Sequence, residues 1–159
     1  MNIINSYSDW GKLEEIILGS PKNLTLPDLD ISSRNFFDLQ EDFNQQKNPV
    51  AVIERVKIEM EEDFQGLTSI LEGYGVKVRR PEAINFKITC QSPHWSSQQS
   101  HALMPRDCML VLGDTLIEAP MPSRNRYFES QSFRNITREY FSKGEKWIAA
   151  PKPVLTDDT

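Results

Sequence analysis

The sequence predicts an α/β protein assembled from repeated strand–helix–strand units. Three observations carry this. Residues 50–74 place apolar side chains at helical steps and end at glycines. Short apolar runs at 13–18, 76–80, 108–112, 115–119 and 146–150 have strand length and are bracketed by Gly or Pro. The order strand, helix, glycine, strand, proline then occurs twice, with Gly75-Val-Lys-Val-Arg-Arg-Pro81 and Gly144-Glu-Lys-Trp-Ile-Ala-Ala-Pro151 in corresponding places.

The elements follow in order. Residues 13–18 form the first strand, between Gly11 and Gly19-Ser20-Pro21. Residues 21–49 are polar, with Phe36, Phe37 and Phe43 interspersed, and read as a long functional loop or one holding a short helix. In 50–74 the apolar positions are Ile53, Val56, Met60, Phe64, Leu67 and Leu71, one stripe on one face, and Gly73 and Gly75 supply the stop. Residues 76–80 alternate apolar and basic until Pro81. Residues 82–104 have no sustained period and read mostly as loop. Cys108 opens a continuous apolar run to Leu112, Gly113-Asp114 is a favoured hairpin turn, and 115–119 is its second strand. Residues 130–143 put Phe133, Ile136 and Tyr140 on one helical face, and 146–150 is the last strand before Pro151-Lys-Pro153.

At 159 residues the chain has the length of one domain, enough to bury roughly 70% of its unfolded surface. Two α/β units alone leave sheet edges open, so the sequence reads as part of a longer protein, the alternative being a small stand-alone α/β domain. Lys and Arg number 18 against 23 Asp and Glu, a net charge of −5, which excludes nucleic acid as the expected partner. No apolar run approaches the roughly 20 residues of a membrane span. The first twenty residues contain Asp9, Glu14 and Glu15 and lack a secretory or transit pattern, so the expected setting is the cytosol. Two cysteines make neither a disulfide scaffold nor a zinc site, and no metal cluster or phosphate-binding glycine loop is present.

Asp107 is the first candidate for chemistry. It lies where a long loop enters an apolar strand, and its carboxylate could accept two parallel hydrogen bonds from a guanidinium. The structural alternative is an ion pair with Arg106 or a cap on the strand. Cys108 reads as a small core residue. Cys90 lies in a polar loop, and His94, four residues on, would activate it only in a helix, which Pro93 disfavours. His101 has no evident partner. Arg124 and Arg126, with Glu118 upstream, read as a structural ion network or as the lining of an anion site.

These residues also resemble a known family. Asn5-Ser-Tyr-Ser-Asp-Trp10 followed by Leu13-Glu-Glu-Ile-Ile-Leu-Gly19, then Val76-Lys-Val-Arg-Arg-Pro81, Met104-Pro-Arg-Asp107, Gly113-Asp-Thr-Leu-Ile-Glu-Ala-Pro-Met121, Arg124-Asn-Arg-Tyr-Phe-Glu129, Lys146-Trp147 and Ala150-Pro-Lys-Pro153 are similar to landmarks of the arginine:glycine amidinotransferases, in the same order. The resemblance spans nearly the whole chain outside 20–48. It implies the pentein fold, a five-fold α/β-propeller of ββαβ modules around a central site. The chain would then be the N-terminal portion of that domain over 1–159, with its first two modules at about 10–81 and 104–153.

The resemblance also implies a reaction. A cysteine thiolate takes the amidino group of L-arginine, ornithine leaves, and an amine acceptor such as glycine receives the group. Desolvated thiolate and carboxylates gripping the planar cation suit that chemistry. Among the family's functional positions only Asp107 matches here, as a substrate-binding residue. The nucleophile, the histidine and its partner aspartate match nothing in the chain, so no catalytic residue is assigned and the chain alone is expected to be inactive. No metal or organic cofactor is implied. The expected partners are the small-molecule substrates, without nucleic acid or membrane, and a homo-oligomer is left open. Two other readings stand beside the transferase: a non-catalytic remnant or binding module of the same fold, and a guanidino-group hydrolase that uses water as acceptor.

Overall fold

The computed structural model describes residues 3–25 and 49–156. Strand β1 (Glu15–Ile17) and helix α1 (Pro49–Gly73) lead to β2 (Lys77–Arg79), which returns parallel to β1 with Ile16 opposite Val78. The reversal between α1 and β2 needs a left-handed residue, and Gly75 provides it at φ +78°. Ile53, Val56, Met60, Phe64 and Leu71 of the expected stripe are half-buried, and Leu67 is exposed. The Arg80 guanidinium lies 4.9 Å from the Phe64 ring centroid and binds Glu61 at 3.0 Å, so α1 meets β2 partly through a cation on an aromatic face.

A small antiparallel pair follows, β3 (Thr89–Gln91) with β4 (Ser96–Gln98). The sequence reading of 82–104 as mostly loop holds around this pair, which it did not foresee. The strands are three residues long and polar, and backbone pairing rather than apolar alternation defines them. A four-residue helical turn, α2 (Pro105–Cys108), then enters β5 (Met109–Leu112). Cys108 therefore closes a turn and does not begin the strand. Proline at the first position suits the turn, since its missing N–H would have had no partner.

Strand β5 pairs antiparallel with β6 (Thr115–Glu118) through Gly113-Asp114, with Gly113 at φ +60°. Two short 3-10 turns, Arg124–Arg126 and Glu129–Phe133, precede helix α3 (Arg134–Ser142), so the expected 130–143 helix begins as tighter winding. Gly144, at φ +90°, reverses the chain into β7 (Lys146–Ala149), which lies parallel to β6. The strand–helix–glycine–strand order read twice in the sequence thus gives two parallel crossovers. The aromatic positions Phe36, Phe37 and Phe43 lie outside the described residues.

The core gathers Phe86, Cys108, Met109, Leu116, Met121, Phe133, Ile136 and Tyr140, with Ile4 and Ala102. It fills the space under one face of the β5–β6–β7 sheet. The other face is open among the described residues: Leu110, Ile117 and Ile148 stand in one row across it, and Leu110 and Ile148 are more than half exposed. The amino-terminal segment joins the two crossovers. The Ile3 and Ile4 amides donate to the two carboxylate oxygens of Glu145 at 2.7 and 3.2 Å, and Ser6 exchanges two 2.8 Å backbone bonds with Gly113. Arg79 bridges Glu15 of β1 and Glu139 of α3 at 3.3 and 2.5 Å. No helix among the described residues is long and apolar enough to cross a membrane.

Candidate functional site

Asp107 sits on α2 with a side chain about one-third exposed. Its Oδ2 accepts a hydrogen bond from Arg126 Nη1 at 2.9 Å. The neighbouring Arg106, considered from sequence as the structural partner, reaches no closer than 3.8 Å and is 91% exposed. The main partner therefore comes from nineteen residues further on, across the β5–β6 hairpin.

Arg126 donates a second time, from Nε to Glu129 Oε2 at 2.6 Å. The Glu129 side chain is completely buried. Burying a carboxylate is costly without a hydrogen-bonded countercharge, and Arg126 is that countercharge. Burial alone would lower the Arg126 pKa, but the Glu129 and Asp107 carboxylates outweigh it and raise it. His101, which had no evident partner in the sequence, stands with Nδ1 3.6 Å from Glu129 Oε1, while that nitrogen accepts the Leu103 amide at 3.3 Å. Among the described residues Arg126 Nη2 and Glu129 Oε1 are buried without a hydrogen bond.

The loop holding Arg126 is fixed from the other side. Gln99 donates its amide to the Arg124 carbonyl at 2.9 Å and accepts from the Phe128 backbone at 2.8 Å. Ser100 adds a backbone bond to Asn125 at 2.8 Å. Tyr127 and Phe128 meet edge to face at 5.0 Å, and Lys152 lies 4.8 Å over Tyr127 while donating to its carbonyl. Arg124 and Glu118 have partners of their own. Arg124 donates to the Leu155 carbonyl at 3.0 Å, and Glu118 accepts from Ser130 and Arg134 at 2.7 and 2.9 Å. Of the ion network read from sequence, Arg126 touches Asp107. Glu129 was missed, although the Arg126-x-x-Glu129 spacing on a tight turn was its available signal.

The cysteines have no nucleophilic setting here. Cys108 is fully buried, and desolvation with the nearby Glu129 charge pushes its thiol up to about 12. Cys90 lies on β3, not in an irregular loop, and burial raises its pKa also. At pH 8 both are protonated, and only Cys90 has solvent access. Alkylation by iodoacetamide at pH 8, followed by mass spectrometry, is expected to modify Cys90 slowly and to leave Cys108 intact until the protein is denatured. Among the described residues no group of three His, Cys, Asp or Glu side chains could hold a metal.

The geometry amounts to a partly exposed carboxylate tied through Arg126 to a buried one, on a pentein-like α/β frame, and comparison with known proteins supports that fold class. No established family model matches the chain. It is 37% identical over 158 residues to the mitochondrial glycine amidinotransferase of Xenopus tropicalis, covering 96% of this chain and 36% of the relative. It is 35% identical over 163 residues to inosamine-phosphate amidinotransferase 1 of Streptomyces griseus, covering all of this chain and 46% of that one. The solved structure of the Streptomyces griseus inosamine-phosphate amidinotransferase superposes with a TM-score of 0.84 at 32% identity, over 99% of this chain and 46% of the other. An amidinotransferase of Microseira wollei from the saxitoxin biosynthetic pathway gives 0.78 at 35% identity, over 97% and 43%. The chain is an amidinotransferase homologue with the pentein fold, and it spans between about a third and a half of the length of these relatives.

Proposed function

We propose that the protein takes part in transfer of the amidino group of L-arginine to an amine acceptor, with Asp107 as a substrate-binding carboxylate. The relatives differ in what their names say of the acceptor or pathway and agree on amidino transfer, and this agreement over 96% of the chain carries the reading. In the proposed reaction a cysteine thiolate attacks the guanidino carbon. The bond to the ornithine nitrogen breaks, and ornithine leaves with a proton. The acceptor amine then attacks the same carbon, the carbon–sulfur bond breaks, and the thiolate is restored with release of one proton. Cys108 and Cys90, both raised in pKa, do not suit the nucleophile, so we place it on modules beyond residues 10–81 and 104–153, which we read as two of the ring. We expect the 159 residues alone to be inactive.

Among the described residues Asp107 Oδ1 accepts no hydrogen bond, and its nearest cation is the solvated Arg106 Nε at 3.8 Å, which we expect a cationic ligand to displace. A guanidinium bound there gains a charge-assisted bond in a partly desolvated site. In the full product of the gene, incubation with guanidino-labelled L-arginine and glycine or another amine is expected to give ornithine and a labelled guanidino product. Asp107→Asn is expected to raise KM for arginine about tenfold or more, as loss of a hydrogen bond to a charged group does. Citrulline in place of ornithine would convert the reading to a hydrolase, and no turnover of arginine would leave a binding module.

A further inference from the structure

We propose that Arg126 is the positioning residue for Asp107, fastening one carboxylate oxygen to buried Glu129 so that the other stays turned toward the substrate's guanidinium. This rests on Asp107 being the substrate-binding carboxylate.

The first ground is mechanical. Asp107 belongs to a turn of four residues with no side-chain cap, too short to fix a carboxylate by itself. Arg106 is too distant and too solvated to hold it. Arg126 reaches it at 2.9 Å and is itself held at 2.6 Å by a carboxylate with no exposed surface. The bonds leave from two nitrogens of one planar group, so the position of Glu129 is passed on to Asp107 as a rigid offset.

The second ground is charge. Asp107 and Arg126 alone would form a neutral pair with little attraction for an incoming cation. Glu129 supplies the second negative charge, so the three side chains together keep one net negative charge, while Arg106, 3.8 Å from Asp107 Oδ1 and 91% exposed, is screened by solvent. That charge is expressed at Asp107, the more exposed carboxylate. The cluster can thus carry an internal guanidinium and still attract an external one.

The test is a double-mutant cycle in the full gene product. Arg126→Lys keeps the charge and loses the two-point bridge, while Glu129→Gln keeps the shape and an acceptor for Arg126 Nε and loses the extra charge. Each is expected to raise KM for arginine about tenfold and to leave KM for the acceptor amine unchanged. In an Asp107→Asn background neither is expected to raise it further, because each acts through Asp107. A merely structural role would lower Tm and the active fraction and leave the arginine KM alone. Unchanged KM in both variants, or full additivity with Asp107→Asn, overturns the positioning role while the role of Asp107 stands. An Asp107→Asn variant with wild-type arginine KM overturns both.

Discussion

Gly19→Ala is expected to abolish the native fold at ordinary temperature. A methyl group at this position would lie 1.8 Å from the Leu103 carbonyl oxygen, 2.3 Å from its carbon and 2.7 Å from its Cα. All three are backbone atoms, so no side-chain rotation relieves the clash. The contact is close because Ser20 pairs with Ala102, its amide 2.8 Å from the Ala102 carbonyl, and so stitches the end of β1 to the segment that leads into α2 and Asp107. To admit the methyl group, that stitch must open. The cost is expected to exceed about 4 kcal/mol, in the range reserved for severe backbone or core damage. Circular dichroism with temperature measures it, and a Tm within about 2 °C of the parent would contradict the account.

Phe133→Ala is expected to cost about 3–5 kcal/mol, which lowers Tm by roughly 10 °C for a chain of this size. Phe133 has no exposed surface and stands where the second 3-10 turn passes into α3, packed with Cys108, Leu116 and Ile136 in the main cluster. Its removal leaves a cavity at a junction of two windings whose backbone has little freedom to collapse. Urea denaturation gives the value directly. A loss below about 1 kcal/mol would mean that the turn relaxes into the space.

The long-period features of this fold are legible in the sequence because they follow from repetition. The α1 stripe from Ile53 to Leu71 recurs over five turns, and Gly75 and Gly144 mark the two reversals that only a left-handed residue makes easily. Other features depend on partners distant in sequence. The β3–β4 pair is polar and three residues long, so it exists through pairing and not through pattern. The run from Met109 to Leu112 reads as a buried strand, yet Leu110 and Leu112 are exposed, since sequence shows apolarity and not what covers it. At the site, Asp107 was legible as a carboxylate at the end of a loop. Its tie to Arg126 crosses a hairpin, and the burial of Glu129 is a property of the core around it. No local pattern encodes either.

The fastening of Ile3 and Ile4 to Glu145, across 142 and 141 positions, bears on how the chain is made. A ribosome releases residues 3 and 4 long before Glu145, so their resting place does not exist until the chain has emerged as far as the start of β7. β1 waits likewise for β2, some sixty residues behind it. The nascent protein must therefore hold this segment in reserve, and native structure in residues 3–156 waits on long-distance closure.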